Sequence, residues 1–585
     1  MHNRNTLFSF ALSAAATLML LAPLGAQAAV PNHSIEKLPV APGSFQVACS
    51  NIAIDSTRLA QLGGNVDDFW TGANDHYVRD ILLEPGDTLV ARPQIPNSDL
   101  YPGRRNTGVD FVVIACYPTD PSNPRPDYLL PDGQRIPHMQ RVGQLPILAP
   151  QACTIFNMQA GCGRWPLMMF SHGLAGSPVD GKSVDFLVRM ASYGYIVAAP
   201  FHGDKRFSRV KVEDLGDIAY ILLNFDKIVE LQALRPLSMK AVVDLMLASP
   251  QFAPYIDETR IGGIGGSMGG ATMIWLLGAE ITSGYPSLNS RATVQDPRIK
   301  AAVGYVPYAG QRFLPAFGDN NATANKVTKP FLAISGTADT TAPIIMMEQA
   351  MKQFRGARYQ VALTGVEHTY ATSYADDVFG WVIPFFSAYL NGDKTALDQF
   401  TRQKNIKGGL DDNLHIDYTP PTAVGPGEVL VDEFRSEVFN RYFITSRNSD
   451  KNIIDSGIAG PGWSRTGYQF KGFTIPGPAE SRVATQAPVC RFFYPKILTH
   501  FFSTEAADCN LVRTLGTVDE GVDFWAHRAN TAECPTGSQA VLRLYNNRWL
   551  QNDSNHRYTT SRYEAGVLVS DRGWINEGVV MCTPL

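Results

Sequence analysis

The middle of the chain alternates between short apolar runs and longer segments whose apolar residues recur at helical spacing. The apolar runs, which predict strands, are residues 166–170, 195–199, 261–264, 300–305, 331–335 and 358–363. The segments that predict helices are residues 184–192, 237–249, 270–279, 343–354 and 378–390. Strands that alternate with helices are typical of a mostly parallel sheet with helices on both faces, so we predict an α/β fold here.

Two neighbouring segments follow other patterns. From residue 29 to about residue 160, clusters of Pro, Asn, Asp and Gly separate short runs such as 88–91 and 111–115, which predicts an antiparallel start to the sheet. Residues 212–234 carry four apolar residues at helical spacing, Leu215, Ile218, Leu222 and Phe225. This segment is interpreted either as a lid over a functional site at the edge of the sheet or as a crossover helix packed on the sheet. The spacing of its apolar residues does not distinguish the two.

The last part of the chain contains three weak internal repeats, at residues 431–463, 490–504 and 541–574. Each repeat predicts two short aromatic strands and a turn, and together they predict a compact all-β module, for which a trefoil is one candidate arrangement. The aromatic residues that recur at matching places include Tyr442, Phe443, Phe501, Phe502 and Tyr558. We expect most of them to form a shared core; the alternative is a set of exposed rings that bind an insoluble surface.

Length and composition indicate how the chain divides into domains. The chain has 585 residues, of which 45% are hydrophobic and 18% charged, which is typical of a globular protein with more than one domain. A net charge of −4 gives no indication of nucleic-acid binding. We predict a signal peptide at 1–28, an α/β domain at 29–417, a Pro/Gly-rich linker at 418–427 and the repeat module at 428–585.

The first residues have the order of a secretion signal. Arg4 precedes an apolar run at 7–21, and Ala26-Gln27-Ala28 is a cleavage site of small residues. We therefore expect cleavage near Ala28, a secreted or periplasmic location, and no transmembrane segment in the mature chain.

Eight cysteines form two sets of four, in the first third and the last fifth of the chain. In an exported protein such sets predict two disulfides in each domain, and each set allows three pairings. Neighbouring pairs are our expectation: Cys49–Cys116, Cys153–Cys162, Cys490–Cys509 and Cys534–Cys582. The chain has neither C-x-x-C nor H-E-x-x-H spacing, so no metal site is expected, and no organic cofactor is implied.

The segment Gly265-Gly-Ser-Met-Gly269 matches G-x-S-x-G and lies between a predicted strand and a predicted helix. This is the context of a nucleophile elbow, although glycine-rich turns also serve packing alone. A serine nucleophile needs an imidazole base, which a carboxylate orients. His368 and Asp339 follow later strands in the matching order, and the strand ends of a parallel sheet share one edge.

Each role has an alternative. His368 is also consistent with a surface histidine, and Asp339 with a helix cap near Pro343. Rival acids are Asp204, Asp376 and Asp377. For the oxyanion hole we predict the backbone N–H groups of Met268 and Leu174, whereas His172 is expected to be a structural hydrogen-bonding residue.

The segments Pro166–Leu174, Gly194–Ala199 and Gly265–Thr272 resemble secreted α/β-hydrolases grouped with platelet-activating factor acetylhydrolase and dienelactone hydrolase. The resemblance covers about residues 160–390 and implies the α/β-hydrolase fold and ester hydrolysis. In the acetylhydrolases the acid follows the strand after the elbow helix, but the corresponding segment here, residues 304–309, has no carboxylate. The repeats resemble a module of unknown function on secreted bacterial proteins.

These observations together predict a secreted serine hydrolase that cleaves carboxylic esters of lipid, short-chain or polyester type. Its partners would be a small or polymeric ester and, through the repeat module, an insoluble surface. A serine peptidase or amidase of the same fold is the alternative enzyme. A non-catalytic surface-binding protein on a hydrolase scaffold is the alternative from another class.

Overall fold

A computed structural model describes residues 35–37, 43–150, 163–209, 215–393, 396–397, 400, 403–406, 410, 412–418, 424–474, 484–529, 534–535 and 537–585. By its internal contacts the chain divides into two units, one spanning Ser34–Ile416 and one that includes Asp417–Leu585. The expected signal peptide, the expected Cys153–Cys162 pair and residues 419–423 of the expected linker lie outside the described residues.

The first unit is built around a ten-stranded sheet. In chain order its strands are β1 (Val47–Cys49), β2 (Leu89–Ala91), β3 (Phe111–Pro118), β4 (Trp165–Ser171), β5 (Ile196–Pro200), β6 (Ile256–Gly266), β7 (Ile299–Tyr305), β8 (Phe331–Gly336), β9 (Arg358–Leu363) and β10 (Asp412–Tyr418). Their order across the sheet is β10-β9-β8-β7-β6-β4-β5-β3-β1, and β2 pairs with β3.

The sheet is mixed, as the sequence pattern predicts. The run β5-β4-β6-β7-β8-β9 is parallel. The pairs β3–β5, β1–β3 and β2–β3 are antiparallel, in agreement with the antiparallel start expected before residue 160. Strands β4, β5, β8 and β9 are buried along their whole length, because helices cover a parallel sheet on both faces.

Eight helices are described in this unit: α1 (Ser56–Leu62), α2 (Val66–Thr71), α3 (Gly181–Ser192), α4 (Leu215–Leu223), α5 (Phe225–Ala248), α6 (Met268–Leu276), α7 (Ile344–Met351) and α8 (Ala375–Asn391). Helix α5 corrects the sequence interpretation, which separated residues 212–234 from a helix at 237–249. It continues through Pro236 and buries residues on both sides of it. Residues 225–234 are therefore part of the crossover helix between β5 and β6.

The second unit contains three repeats of strand, strand, helix and strand. The first is β11 (Glu428–Ser436), β12 (Arg441–Thr445), α9 (Asn448–Asp455) and β13 (Trp463–Phe473). The second is β14 (Gln486–Tyr494), β15 (Thr499–Ser503), α10 (Ala506–Arg513) and β16 (Val518–Arg528), and the third is β17 (Ser538–Tyr545), β18 (His556–Thr559), α11 (Arg562–Arg572) and β19 (Ile575–Pro584). All described pairings are antiparallel, as expected of an all-β module.

The helix in each repeat is a correction, since the pattern predicted only strands and a turn. Helix α9 buries only Lys451 and Ile454, so it has too few apolar positions to give a helical period. The aromatic residues mostly form the core, as expected: Tyr442, Phe443, Phe502 and Tyr558 are buried, and Phe501 is half-buried.

Three of the expected disulfides are present: Cys49–Cys116, Cys490–Cys509 and Cys534–Cys582. None of the described helices is both long and apolar enough to cross a membrane.

Ion pairs formed by buried arginines link successive repeats. Arg491 of the second repeat is paired with Asp450 in the helix of the first, and Arg543 of the third repeat with Asp508 in the helix of the second. The third link is different, because Arg557 lies between Glu564 of its own repeat and Glu433 of the first. Each repeat therefore completes the charge pairing of a neighbour.

The Arg557–Glu433 pair generates a stability prediction. Both side chains are almost completely buried, and two N–H groups of Arg557 donate to the carboxylate at 2.9 Å. Arg557→Met leaves Glu433 buried without this partner, so we expect a loss of about 3–5 kcal/mol in the free energy of unfolding. Calorimetry of the full chain measures it through the transition of the second unit.

The matched control is Arg513→Met, because the Arg513–Asp519 pair is exposed on both sides and its loss costs less than about 1 kcal/mol. Equal shifts in the two variants would contradict the assignment of Arg557. The double variant Arg557→Met/Glu433→Leu removes both charges, and we expect it to recover much of the loss.

Candidate active site

Ser267 occupies a strained turn between β6 and α6. Its φ of 52° and ψ of −117° lie outside the regions that residues with a side chain normally adopt. The backbone is held from the neighbouring segment: Ser267 N–H donates to the Tyr305 carbonyl at 2.9 Å, and Tyr308 N–H donates to the Ser267 carbonyl at 3.0 Å. The turn is thus fixed on both sides of the serine.

Two glycines of the motif are required by close backbone contacts. A Cβ on Gly265 would lie 2.1 Å from the carbonyl carbon of Gly269, and a Cβ on Gly269 would lie 1.9 Å from the Ser171 carbonyl oxygen. Neither distance is compatible with a side chain, so only glycine allows α6 to start this close to the ends of β4 and β6.

His368 bridges Ser267 and Asp339. Its Nε2 lies 2.8 Å from Ser267 Oγ, and its Nδ1 lies 2.7 Å from Asp339 Oδ2. A carboxylate only accepts hydrogen bonds, so Nδ1 carries the proton in the neutral ring and Nε2 is free to accept the serine O–H. The arrangement can therefore remove a proton from Ser267.

Asp339 has an unexposed side chain and is fixed by the backbone. Its second oxygen, Oδ1, accepts the N–H groups of Thr341 at 2.9 Å and Ala342 at 2.7 Å. These bonds order the turn before α7. The two roles considered for Asp339 are therefore compatible, because the turn uses Oδ1 and the contact with His368 uses Oδ2.

The three rival acids have other partners. Asp204 is paired with Arg235 in the interior, Asp377 Oδ1 accepts the Leu410 N–H, and Asp376 lies 3.6 Å from Arg189 Nη1.

The loop after β4 lies against Ser267. A Cβ built on Gly173 would be 3.5 Å from the serine Cβ, so the next peptide, which carries the Leu174 N–H, is close to Ser267. No described group accepts a hydrogen bond from Leu174 N–H. Met268 is the first residue of α6, where backbone N–H groups have no partner within the helix. Both N–H groups named from the sequence thus belong to segments that border Ser267.

Sequence reasoning missed a buried polar network beneath this loop. Arg235 and Asp204 are 1% and 2% exposed and form an ion pair. His172 accepts the His202 N–H on Nε2 and faces the Gly173 carbonyl with Nδ1, which agrees with its expected structural role. Burial and the nearby Arg235 charge lower the pKa of His172 to about 4. The available signal was a charged residue, Arg235, within an apolar helical run.

A cavity of about 340 Å³ opens beside Ser267 and His368. Its apolar wall consists of Phe170, Phe186, Ile264, Tyr305, Val306 and Tyr370. Lys182 and Asp180 also line it, and Lys182 donates to Thr369 Oγ1 at 2.9 Å. Within the described ranges no group of three or more His, Cys, Asp or Glu side chains is placed to hold a metal ion.

Comparisons with known families agree with the two-part sequence pattern. Residues 440–583 match a domain of unknown function, DUF5648. No curated protein matches the chain significantly. Residues 147–214, which include β4, the loop at 172–175 and Asp204 but not Ser267, match the family described as platelet-activating factor acetylhydrolase, isoform II. The chain is thus similar to an α/β-hydrolase family in this segment, which supports a hydrolase of the lipase or esterase type.

Proposed function

We propose that this chain is a secreted serine hydrolase of the α/β-hydrolase fold that cleaves carboxylic esters. The observation that carries the proposal is the hydrogen-bonded series Ser267–His368–Asp339 at a strained strand-to-helix turn. The match to the acetylhydrolase family and the described disulfides, which suit an exported protein, support it.

In the proposed reaction, Ser267 Oγ attacks the acyl carbonyl while His368 Nε2 takes its proton. Asp339 stabilises the imidazolium that forms. The N–H groups of Leu174 and Met268 donate to the oxyanion of the tetrahedral intermediate. His368 then protonates the leaving alcohol as the acyl-enzyme forms, and water, activated by the same imidazole, releases the carboxylic acid.

The largely apolar wall of the cavity favours an acyl group over a charged or strongly polar one. A peptidase would use the same three residues, so the choice between ester and amide rests on turnover of a chain-length series of esters beside a matching amide. The non-catalytic alternative predicts that the serine does not react at all.

Ser267→Ala is expected to abolish turnover of a short-chain p-nitrophenyl ester and labelling by a fluorophosphonate, because both reactions require the hydroxyl. Ser287→Ala, which changes an exposed serine, is the matched control and should behave as wild type. Wild-type protein that is folded but takes up no label would favour the non-catalytic scaffold.

Asp339→Asn is expected to lower kcat by about 10⁴-fold, because the amide no longer holds His368 in the productive tautomer. Asp376→Asn, which changes an exposed carboxylate, should retain wild-type activity. The two rates are compared in steady-state assays of the same ester. Activity near wild type in Asp339→Asn would mean that another carboxylate is the acid.

We also propose that the C-terminal module contributes no catalytic group and holds the enzyme at the surface of an insoluble lipid ester. The recurring aromatic rings are mostly buried, so they do not supply this surface. Instead, three hairpin turns expose Val438, Leu498 and Leu550 by 62%, 44% and 73%. Contacts between β12, β15 and β18 support a trefoil-like arrangement of these hairpins.

Polar bonds connect the three turns. Arg441 donates to the Ile497 carbonyl at 3.0 Å and to Asp553 at 2.7 Å, and Asn555 donates to the Asn440 carbonyl at 2.8 Å. The turns are therefore neighbours, and their exposed aliphatic side chains suit a lipid interface.

The triple variant Val438→Ser/Leu498→Ser/Leu550→Ser is expected to lose most of its retention on emulsified triacylglycerol and to keep its activity on a soluble ester. Its control is Ile458→Ser/Val518→Ser, which replaces exposed apolar residues outside the hairpin turns. Unchanged retention of the triple variant, or binding to insoluble polysaccharide instead, would contradict the lipid role.

A further inference from the structure

All five N–H donors of the Arg235 guanidinium form hydrogen bonds with groups beside the candidate site. Its Nε donates to Asp204 Oδ1 at 3.1 Å and its Nη2 to Asp204 Oδ2 at 2.5 Å. The remaining donors reach the end of β4 and the loop at 172–175: Nη1 donates to the His172 carbonyl at 2.7 Å and to Ser171 Oγ at 3.4 Å, and Nη2 donates to the Gly173 carbonyl at 2.8 Å. Five donors thus meet five acceptors.

These bonds fix the direction of the backbone N–H groups. The Gly173 carbonyl and the Leu174 N–H belong to one planar trans peptide, in which the two groups point in opposite directions. A carbonyl held toward Arg235 therefore aims the Leu174 N–H away from Arg235. The His172 carbonyl fixes the Gly173 N–H in the same way, and Gly173 lies directly beside Ser267.

We propose that Arg235, with Asp204 as its counter-ion, is the positioning residue that aims the oxyanion donor of this site, an inference that rests on the proposed ester hydrolysis. Arg235 touches neither the nucleophile nor the base. It acts through the two carbonyl groups of residues 172 and 173. Its charge also polarises the Gly173–Leu174 peptide, which makes the N–H a stronger donor.

Asp204 secures the other end of the same loop. Its Oδ2 accepts the Ala175 N–H at 2.8 Å, and Ala175 has a φ of 54°, in the left-handed region that residues with a Cβ seldom adopt. The loop between β4 and α3 is thus bonded on both sides of Leu174 by one buried ion pair.

The two neighbouring imidazoles help to orient this network through their hydrogen bonds. Ser238 Oγ donates to the Arg235 carbonyl and therefore accepts from His202 Nδ1–H, which leaves His202 Nε2 to accept from Ser171 Oγ. Burial and the charge of Arg235 hold the pKa of His202 well below its ordinary value. Asp204 is accordingly the group in this network that balances Arg235.

Arg235→Lys tests the role, because lysine keeps the charge and loses the planar fork that reaches both carbonyls. We expect kcat to fall about 10²-fold or more with KM changed less than about threefold, since the lost interaction is made in the transition state. Affinity for a trifluoromethyl ketone, whose adduct carries the oxyanion, should fall by a similar factor.

The matched control is Arg206→Lys. Arg206 is half-buried and donates to backbone carbonyls, those of His202 at 2.9 Å and Asp110 at 3.1 Å, but it does not bond the loop at 172–175. A role limited to folding predicts that both variants lose stability and neither loses kcat.

A folded Arg235→Lys with wild-type kcat, or with a loss confined to KM, would overturn the proposal. So would a loss of kcat with unchanged affinity for the ketone. Where Arg235→Lys folds poorly, Arg235→Met/Asp204→Leu removes both charges and should show the same split between kcat and KM. Failure of the proposed function itself is a separate result, because it appears as wild-type protein that takes up no fluorophosphonate.

Discussion

The candidate site depends on a contact that contains no side chain, between the end of β4 and the first turn of α6. The Gly269 Cα lies so close to the Ser171 carbonyl that a Cβ would be 1.9 Å away. Ser267 directly precedes α6, and the loop at 172–175 directly follows Ser171. One close approach of two backbones therefore sets the distance between Ser267 and the N–H groups proposed as oxyanion donors, before any hydrogen bond refines it.

The parallel sheet brings the remaining groups to the same place. Ser267, Asp339 and His368 follow β6, β8 and β9, whose carboxyl ends share one edge. Asp339, the proposed acid, follows the second strand after the elbow, and β7 leads into a segment without a carboxylate. The strained serine backbone is held by β7 instead, through the Tyr305 carbonyl, so that strand contributes support and no reacting group.

Much of this arrangement follows from local sequence. The strands at β4 to β9 are apolar runs, and the elbow glycines and the order of Ser267, Asp339 and His368 are readable without a structure. The Arg235 network cannot be predicted from the sequence. Its members come from β4, from residue 204 and from α5, which are far apart along the chain and share no periodic pattern. The first two repeat helices were missed for another reason. Helix α9 buries only Lys451 and Ile454 and helix α10 only Val512, so their apolar pattern is weak beside the aromatic strands around them.

The ion pairs between the repeats have a consequence for the architecture of the module. In an open repeat array each unit meets identical neighbours, so units can be gained or lost singly. Here the position that holds arginine in the second and third repeats, Arg491 and Arg543, holds Glu433 in the first, and Arg557 of the last repeat complements it. First and last repeats thus recognise each other, which closes the series at three. A fourth copy would separate that pair and leave buried charge on both sides of the insertion.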